Sequence, residues 1–203
     1  CVVPGCSGSW SIGKTDVPAS PWSLGGAIDA EKAGRVLVAH AGYFAEKPAG
    51  GAWTTSPGGG WDWNTDVAAD PSGAVHISAF STGTDDVTVF TREAGASTFT
   101  ASVVENAGPG QYQDATSVVV DATGGVHVRY HAGGALHHAF RAKGSATWDI
   151  SEAAPASFVA GSTATSANTL AVDPAGGVHM VYFSGFNEVS YAYKAPGGAW
   201  AQT

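Results

Sequence analysis

One short motif occurs three times in this chain and constrains its fold more than any other feature. It reads D-P-S-G-A-V-H-I from Asp70, D-A-T-G-G-V-H-V from Asp121 and D-P-A-G-G-V-H-M from Asp173, and a degenerate fourth copy begins at Asp29. The complete copies are roughly 50 residues apart, a period typical of repeat architectures. The repeats also provide an internal alignment. A residue present in every copy is expected to be structural, whereas a residue present once is a functional candidate.

Each repeat divides into four short strands. In the copy that begins near Ser117, a β-branched run over 117–120 is followed by a D-x-x-G turn, and 126–130 then alternates between apolar and polar residues. Asp favours the first position of such a turn, and Gly supplies the positive φ that reverses the chain. A third strand over 136–141 and a fourth that opens at Trp148 complete the unit. This order predicts an all-β fold, a β-propeller of four-stranded antiparallel blades.

The repeats also predict the domain organisation. We expect a single propeller domain over 1–203, with blade repeats at approximately 16–61, 62–107, 108–155 and 156–203, and with 1–15 as an outer strand. Strands from the two ends would then complete one blade, which removes exposed sheet edges. The four blades are either a closed ring or part of a larger ring.

The charge of the chain argues against nucleic acid as a partner. The formal net charge is -8, and the nine Lys and Arg residues are scattered rather than clustered. Binding to nucleic acid depends on clustered basic residues that neutralise phosphates. No apolar run reaches the roughly 20 residues that a membrane-spanning helix needs. We therefore expect neither a nucleic-acid partner nor a transmembrane segment.

Two cysteines near the start of the chain allow three interpretations. Cys1 and Cys6 could form a small disulfide loop, which would indicate an oxidising compartment. Alternatively, Cys1 is the lipid-anchored first residue of a bacterial lipoprotein, or both thiols are unpaired.

The repeat resembles secreted bacterial β-propellers with sialidase-like and lectin-like blades. The resemblance rests on the order Asp, Gly, Val-His, Tyr or Phe, then Tyr-Ala and a closing Gly-x-x-Trp, and it covers about residues 25–200. It implies a bacterial protein that is extracellular or on the cell surface. A sialidase would also carry an arginine triad and a Tyr–Glu nucleophile pair. The resemblance does not carry this activity over, because we expect the arginines of this chain at unrelated repeat positions. These arginines are Arg35, Arg92, Arg129 and Arg141.

The repeated acids and imidazoles are predicted to be structural. His76, His127 and His179 share one repeat position, and equivalent residues of successive blades diverge around a ring instead of converging on a metal ion. Each His is expected to pack between strands and to bond a neighbouring backbone group or Asp. We predict no metal site and no cofactor.

Candidate binding residues concentrate in the long, blade-specific connections, because variable loops on a rigid scaffold usually carry function. The segment W-D-W at 61–63 is the strongest candidate, although such tryptophans could equally fill gaps between blades. Aromatic rings beside amides or carboxylates suit sugar recognition, and exposed aromatics also anchor protein interfaces. The predicted ligand-binding set is Trp22, Trp61, Trp63, Tyr112, Asp114, His131, Phe186 and Asn187.

These patterns favour a non-enzymatic binding module that recognises a glycan or a protein partner. The chain contains no nucleophile elbow, zinc helix or phosphate loop. Two alternatives stay open: a sialidase-like glycoside hydrolase or lyase, and a structural subunit of a surface assembly. The sequence does not specify an oligomeric state.

Overall fold

The fold is all-β and propeller-like, and its description comes from a computed structural model of the chain. The described residues are 26–31, 33–40, 42–59, 61, 65–81, 84, 86–106, 116–155, 169–185 and 188–203. They form four antiparallel four-stranded sheets and contain no helix, and hence no helix long and apolar enough to cross a membrane.

The strands of each sheet follow one another in chain order. Sheet 1 contains β1 (Gly26–Ala30), β2 (Val36–His40), β3 (Tyr43–Lys47) and β4 (Thr54–Pro57). Sheet 2 contains β5 (Asp66–Ala69), β6 (Val75–Phe80), β7 (Val87–Arg92) and β8 (Thr100–Glu105). Sheet 3 contains β9 (Ser117–Val120), β10 (Val126–Ala132), β11 (Ala135–Arg141) and β12 (Asp149–Pro155). Sheet 4 contains β13 (Leu170–Val172), β14 (Val178–Gly185), β15 (Glu188–Lys194) and β16 (Trp200–Gln202).

The predicted all-β, blade-like architecture is confirmed, and each sheet lies within one of the four predicted repeats. The first strands of consecutive sheets lie side by side, β1 against β5, β5 against β9 and β9 against β13. The exact repeat boundaries and the single domain over 1–203 stay predictions.

Side-chain alternation explains how the sheets stack. Successive strand residues point to opposite faces, so in β10 Val128 and Tyr130 face sheet 2 whereas His127 faces sheet 4. Three apolar cores result, one between each pair of consecutive sheets. In sheets 1 to 3 we call the face that points to the next sheet in the chain the forward face. In sheet 4 the forward face is the one that carries the equivalent repeat positions. Tyr130, Leu37, Leu136 and Met180 are among the fully buried side chains of these cores.

The antiparallel order creates two different ends. Connections between first and second strands and between third and fourth strands leave from one end, which we call the turn end. Connections between second and third strands, and those from one sheet to the next, leave from the opposite end, which we call the loop end. Among the connections between the described strands, the sheet-to-sheet connections at 58–65, 106–116 and 156–169 span the most residues. The two predicted binding residues that the structure describes, Trp61 and His131, both lie at the loop end.

The forward face of sheet 4 differs from those of sheets 1 to 3. Val181, Phe183, Val189 and Tyr191 are exposed there, Val189 to 63 %. The equivalent residue of Val189 in sheet 3, Leu136, is fully buried against sheet 4.

Candidate functional site

Most of the predicted binding residues lie outside the part of the chain that the structure describes. These are Trp22, Trp63, Tyr112, Asp114, Phe186 and Asn187, together with Cys1 and Cys6. Their predicted roles stay predictions. Trp61 and His131 are described.

Trp61 is a core residue. Its side chain is 2 % exposed and lies between sheets 1 and 2. The indole ring contacts Phe90 and Phe99 at centroid distances of 5.2 and 5.3 Å. Trp61 therefore fills a gap between blades, the alternative that the sequence left open for such tryptophans.

His131 lies in a strand rather than in the loop where the sequence placed it. β10 continues to Ala132, because Gly133 and Gly134 take φ values of 59° and 80° and form the two-residue connection to β11. The ring of His131 is buried, and its Nδ1 lies 3.3 Å from Nη2 of Arg129. Burial, reinforced by the Arg129 charge, lowers the pKa of His131 to about 3. The imidazole is therefore neutral at ordinary pH.

The repeated Asp has the structural role that the sequence predicts. Oδ1 of Asp121 accepts hydrogen bonds from the backbone N–H groups of Thr123 and Gly125, at 2.8 Å each. Asp173 caps its own turn in the same way through Ala175 and Gly177. Bonding to several donors lowers the pKa of both carboxyl groups, and in Asp121 it outweighs the desolvation that acts the other way.

The second carboxylate oxygen binds the repeated His in sheets 3 and 4. Nε2 of His127 lies 3.2 Å from Oδ2 of Asp121, and Nε2 of His179 lies 3.1 Å from Oδ2 of Asp173. Since a carboxylate only accepts, Nε2 carries the donated proton in both Asp–His units. Burial lowers the pKa of His127, so its neutral ring accepts at Nδ1 from Nε2 of His138 at 3.0 Å. In sheet 4, Nδ1 of His179 lies 2.6 Å from the Tyr191 hydroxyl.

In sheet 2 the same motif forms a different unit. A Cβ at Gly125 would lie 2.6 Å from Oδ2 of Asp121, so the Asp–His contact requires glycine at this position. Sheet 2 has Ala74 there. Oδ2 of Asp70 instead accepts from Nζ of Lys143 at 3.3 Å, and Nε2 of the buried His76 has no hydrogen-bond partner among the described residues. Burial lowers the pKa of His76 to about 4.

A polar cavity of about 340 Å³ lies beside this altered unit, between sheets 2 and 3 at the turn end. It opens because Thr91 stands opposite His76, whereas Phe140 and Tyr193 stand opposite the equivalent histidines of sheets 3 and 4. In sheet 3 the Phe140 ring packs on His127 at a centroid distance of 4.7 Å and fills that space. The polar side chains on the cavity wall are Asp70, His76, Thr91, Glu93, Thr100, Ser102, Arg141, Lys143 and Ser145.

Two arginines occupy one repeat position, which corrects the expectation that the arginines are unrelated. Arg92 and Arg141 both end a third strand, paired with Val75 and Val126 respectively. The guanidinium of Arg92 binds the Glu46 carboxylate of sheet 1 through two hydrogen bonds of 3.0 and 2.8 Å. Arg141 meets Thr91 instead, with Nη2 at 3.3 Å from Oγ1.

A buried carboxyl group, that of Asp66, lies at the loop end. Its burial raises its pKa to about 6. Both oxygens are occupied, because Oδ1 accepts from the N–H of Val67 and Oδ2 from the N–H of Val118, at 2.9 Å each. Asp29 binds the N–H of Ala69 across the preceding pair of sheets. These acids therefore link neighbouring first strands.

The arrangement defines a class of protein, an all-β, propeller-like repeat protein with a polar cavity between two of its blades. No group of three His, Cys, Asp or Glu side chains that could hold a metal ion occurs within the described residues. The chain matches no protein-family model and no curated protein. The repeated motif does not predict the cavity. What indicates the cavity is one position in the internal alignment of the repeats. In chain order, the residues at this position are Glu46, Thr91, Phe140 and Tyr193.

Proposed function

We propose that the chain is a non-enzymatic binding module, extracellular or on the cell surface, that recognises a glycan or a protein partner through its loop end. The observation that carries this proposal is the asymmetry between the two ends of the fold. Tight turns capped by Asp side chains join first and second strands at the turn end, whereas the longest connections between described strands leave from the loop end. Long segments on a scaffold of this kind are suited to recognition.

The glycan version of the proposal depends on the aromatic and polar residues of those connections. Sugar C–H groups stack on aromatic rings, while amides and carboxylates bind the hydroxyl groups. Trp63, Tyr112 and Asp114 combine both kinds of side chain. Because the Trp61 side chain is buried in the core, we propose Trp63 and Tyr112 as the sugar-binding aromatic residues rather than the W-D-W segment as a whole.

Binding to immobilised glycans tests the proposal. We expect the intact chain to bind at least one glycan, and the Trp63→Ala and Tyr112→Ala variants to bind it about tenfold more weakly, the scale of losing one anchoring aromatic. His179→Gln at the turn end is the matched control and should bind like the unmodified chain. Failure to bind any glycan would exclude the glycan version, and equal binding by all variants would exclude the loop end.

A further inference from the structure

We propose that the cavity between sheets 2 and 3 binds a small carboxylic acid, with its carboxylate on Arg141. This site lies at the turn end and is independent of the loop-end function proposed above.

The preceding pair of sheets has an arginine at the equivalent position. There the guanidinium of Arg92 crosses to sheet 1 and holds the Glu46 carboxylate in a two-bond contact. Glu46 lies opposite Leu37, as Thr91 lies opposite His76, so the two side chains occupy one repeat position. Sheet 2 therefore presents a short hydroxyl where sheet 1 presents a carboxylate, and the cavity takes up the remaining space.

The Arg141 side chain is held in place and keeps hydrogen-bond donors available for a carboxylate. Its guanidinium carbon lies 4.5 Å from the centre of the Trp148 ring, as that of Arg92 lies over Phe99 at 5.7 Å. Its hydrogen bond to Thr91 uses one of five N–H donors. No carboxylate within the described part of the chain lies in ion-pair distance of it, whereas Arg35 and Arg92 are paired with Glu31 and Glu46. A planar guanidinium whose other donors meet no acceptor among the described residues matches the geometry of a carboxylate.

The rest of the cavity wall selects for a small ligand with hydroxyl groups and a single negative charge. Thr100, Ser102 and Ser145 supply hydroxyls. Lys143 adds a second cation, which is already paired with the Asp70 carboxylate. Asp70 and Glu93 on the same wall disfavour a doubly charged anion such as phosphate. The volume of about 340 Å³ is at the lower end of ligand sites and suits a molecule of sugar-acid size.

Two-dimensional NMR titration of the ¹⁵N-labelled chain tests this assignment. The probes are acetate and gluconate as carboxylates, with glycerol and inorganic phosphate as the contrasting solutes. We expect both carboxylates to give saturable shifts of the Arg141 side chain and of the Gly124 and Ser145 amides, and gluconate to bind more tightly.

Three variants decide which residues are responsible. Arg141→Gln removes the guanidinium and should weaken binding about tenfold or more, the scale of a charge-assisted hydrogen bond. Thr91→Glu introduces the residue found at this repeat position in sheet 1, so it should pair with Arg141 and abolish binding in a folded protein. Lys194→Gln is the matched control, because Lys194 has the same repeat position and lies 5.9 Å above Trp200.

The proposal is wrong if neither carboxylate shifts these signals, if Arg141→Gln binds like the unmodified chain, or if phosphate or glycerol binds as tightly as gluconate. Loss of binding in Lys194→Gln as well would show a general charge effect and would also overturn it. None of these outcomes bears on glycan binding at the loop end.

Discussion

The Asp–His unit has nearly the same internal geometry in sheets 3 and 4, yet the two units lie in different environments. The Nε2–Oδ2 distances are 3.2 and 3.1 Å. The side chain of His127 is 7 % exposed beneath sheet 4, whereas that of His179 is 32 % exposed. Local sequence is therefore sufficient to build the unit, and the next sheet determines only whether it is buried. Residues at one repeat position consequently contribute differently to stability.

The largest expected effect comes from truncating one repeat position in both sheets. Leu136→Ala removes a fully buried side chain from the core between sheets 3 and 4, and we expect it to lower the free energy of unfolding by about 3 kcal/mol. Val189→Ala, at the same position of sheet 4, should change it by less than about 0.5 kcal/mol. Urea unfolding measures both. A comparable loss in the two variants would mean that another sheet covers sheet 4.

The pH dependence of stability provides the second test. Burial, with a smaller contribution from His127, lowers the pKa of His138 to about 3, and burial lowers the pKa of His127 as well. At these two histidines the unfolded chain therefore binds more protons than the folded chain below about pH 6.5, and the stability that the neutral rings contribute falls as pH decreases toward 3. Asp66, whose pKa is raised to about 6, acts in the opposite direction.

The His138→Gln substitution removes one of the histidines that make the stability depend on pH. The Gln amide can still donate to Nδ1 of His127 but does not titrate. We expect the slope of unfolding free energy against pH, measured between pH 6 and 4 by urea unfolding, to fall by about 1.4 kcal/mol per pH unit, the value for one proton. Leu136→Ala should lower the whole curve without changing its slope. An unchanged slope in His138→Gln would show that this ring is protonated in the folded protein.

Alternation and turn chemistry were sufficient to predict much of the fold. The strand Ser117–Val120 has the bounds that the sequence predicts, because the Asp121 turn ends its apolar run. The strand predicted over 136–141 ends at Arg141 as predicted and begins one residue earlier, at Ala135. His131 was assigned to a loop because the two-residue Gly133–Gly134 connection was not recognised as the end of a longer hairpin. A period of two continued through Ala132 would have shown it.

The cavity was harder to predict, because it depends on contacts between sheets rather than within one repeat. Whether Thr91 leaves a space depends on which residue of sheet 3 lies opposite it, and Arg141 is 50 positions away. The Gly125 and Ala74 difference was visible in the motif itself. Its consequence follows only from the 2.6 Å approach of the Asp121 oxygen. A repeat alignment thus identifies the variable positions, whereas packing between sheets determines what they do.

The smallest expected effect concerns the tryptophans that join one sheet to the preceding one. Nε1 of Trp200 donates to the Ser151 hydroxyl at 3.1 Å, and Nε1 of Trp148 donates to Ser102 at 3.0 Å. Trp53 has the same repeat position in sheet 1, but it donates no hydrogen bond to any described residue. Trp200→Phe should therefore lower the free energy of unfolding by about 1 kcal/mol, the scale of one hydrogen bond. Trp53→Phe should leave it nearly unchanged.

Urea unfolding of Trp200→Phe and Trp53→Phe also tests the exposed face of sheet 4. Each acceptor hydroxyl lies three positions after the closing aromatic of its own sheet, Ser151 after Trp148, and this spacing assigns Thr203 as the acceptor in sheet 4. If sheets 1 and 4 meet in solution, Trp53→Phe and Thr203→Val should each cost as much as Trp200→Phe. The double variant would then cost no more than either single one, because both changes remove one bond. Independent and negligible effects would instead show that the forward face of sheet 4 is free of sheet 1.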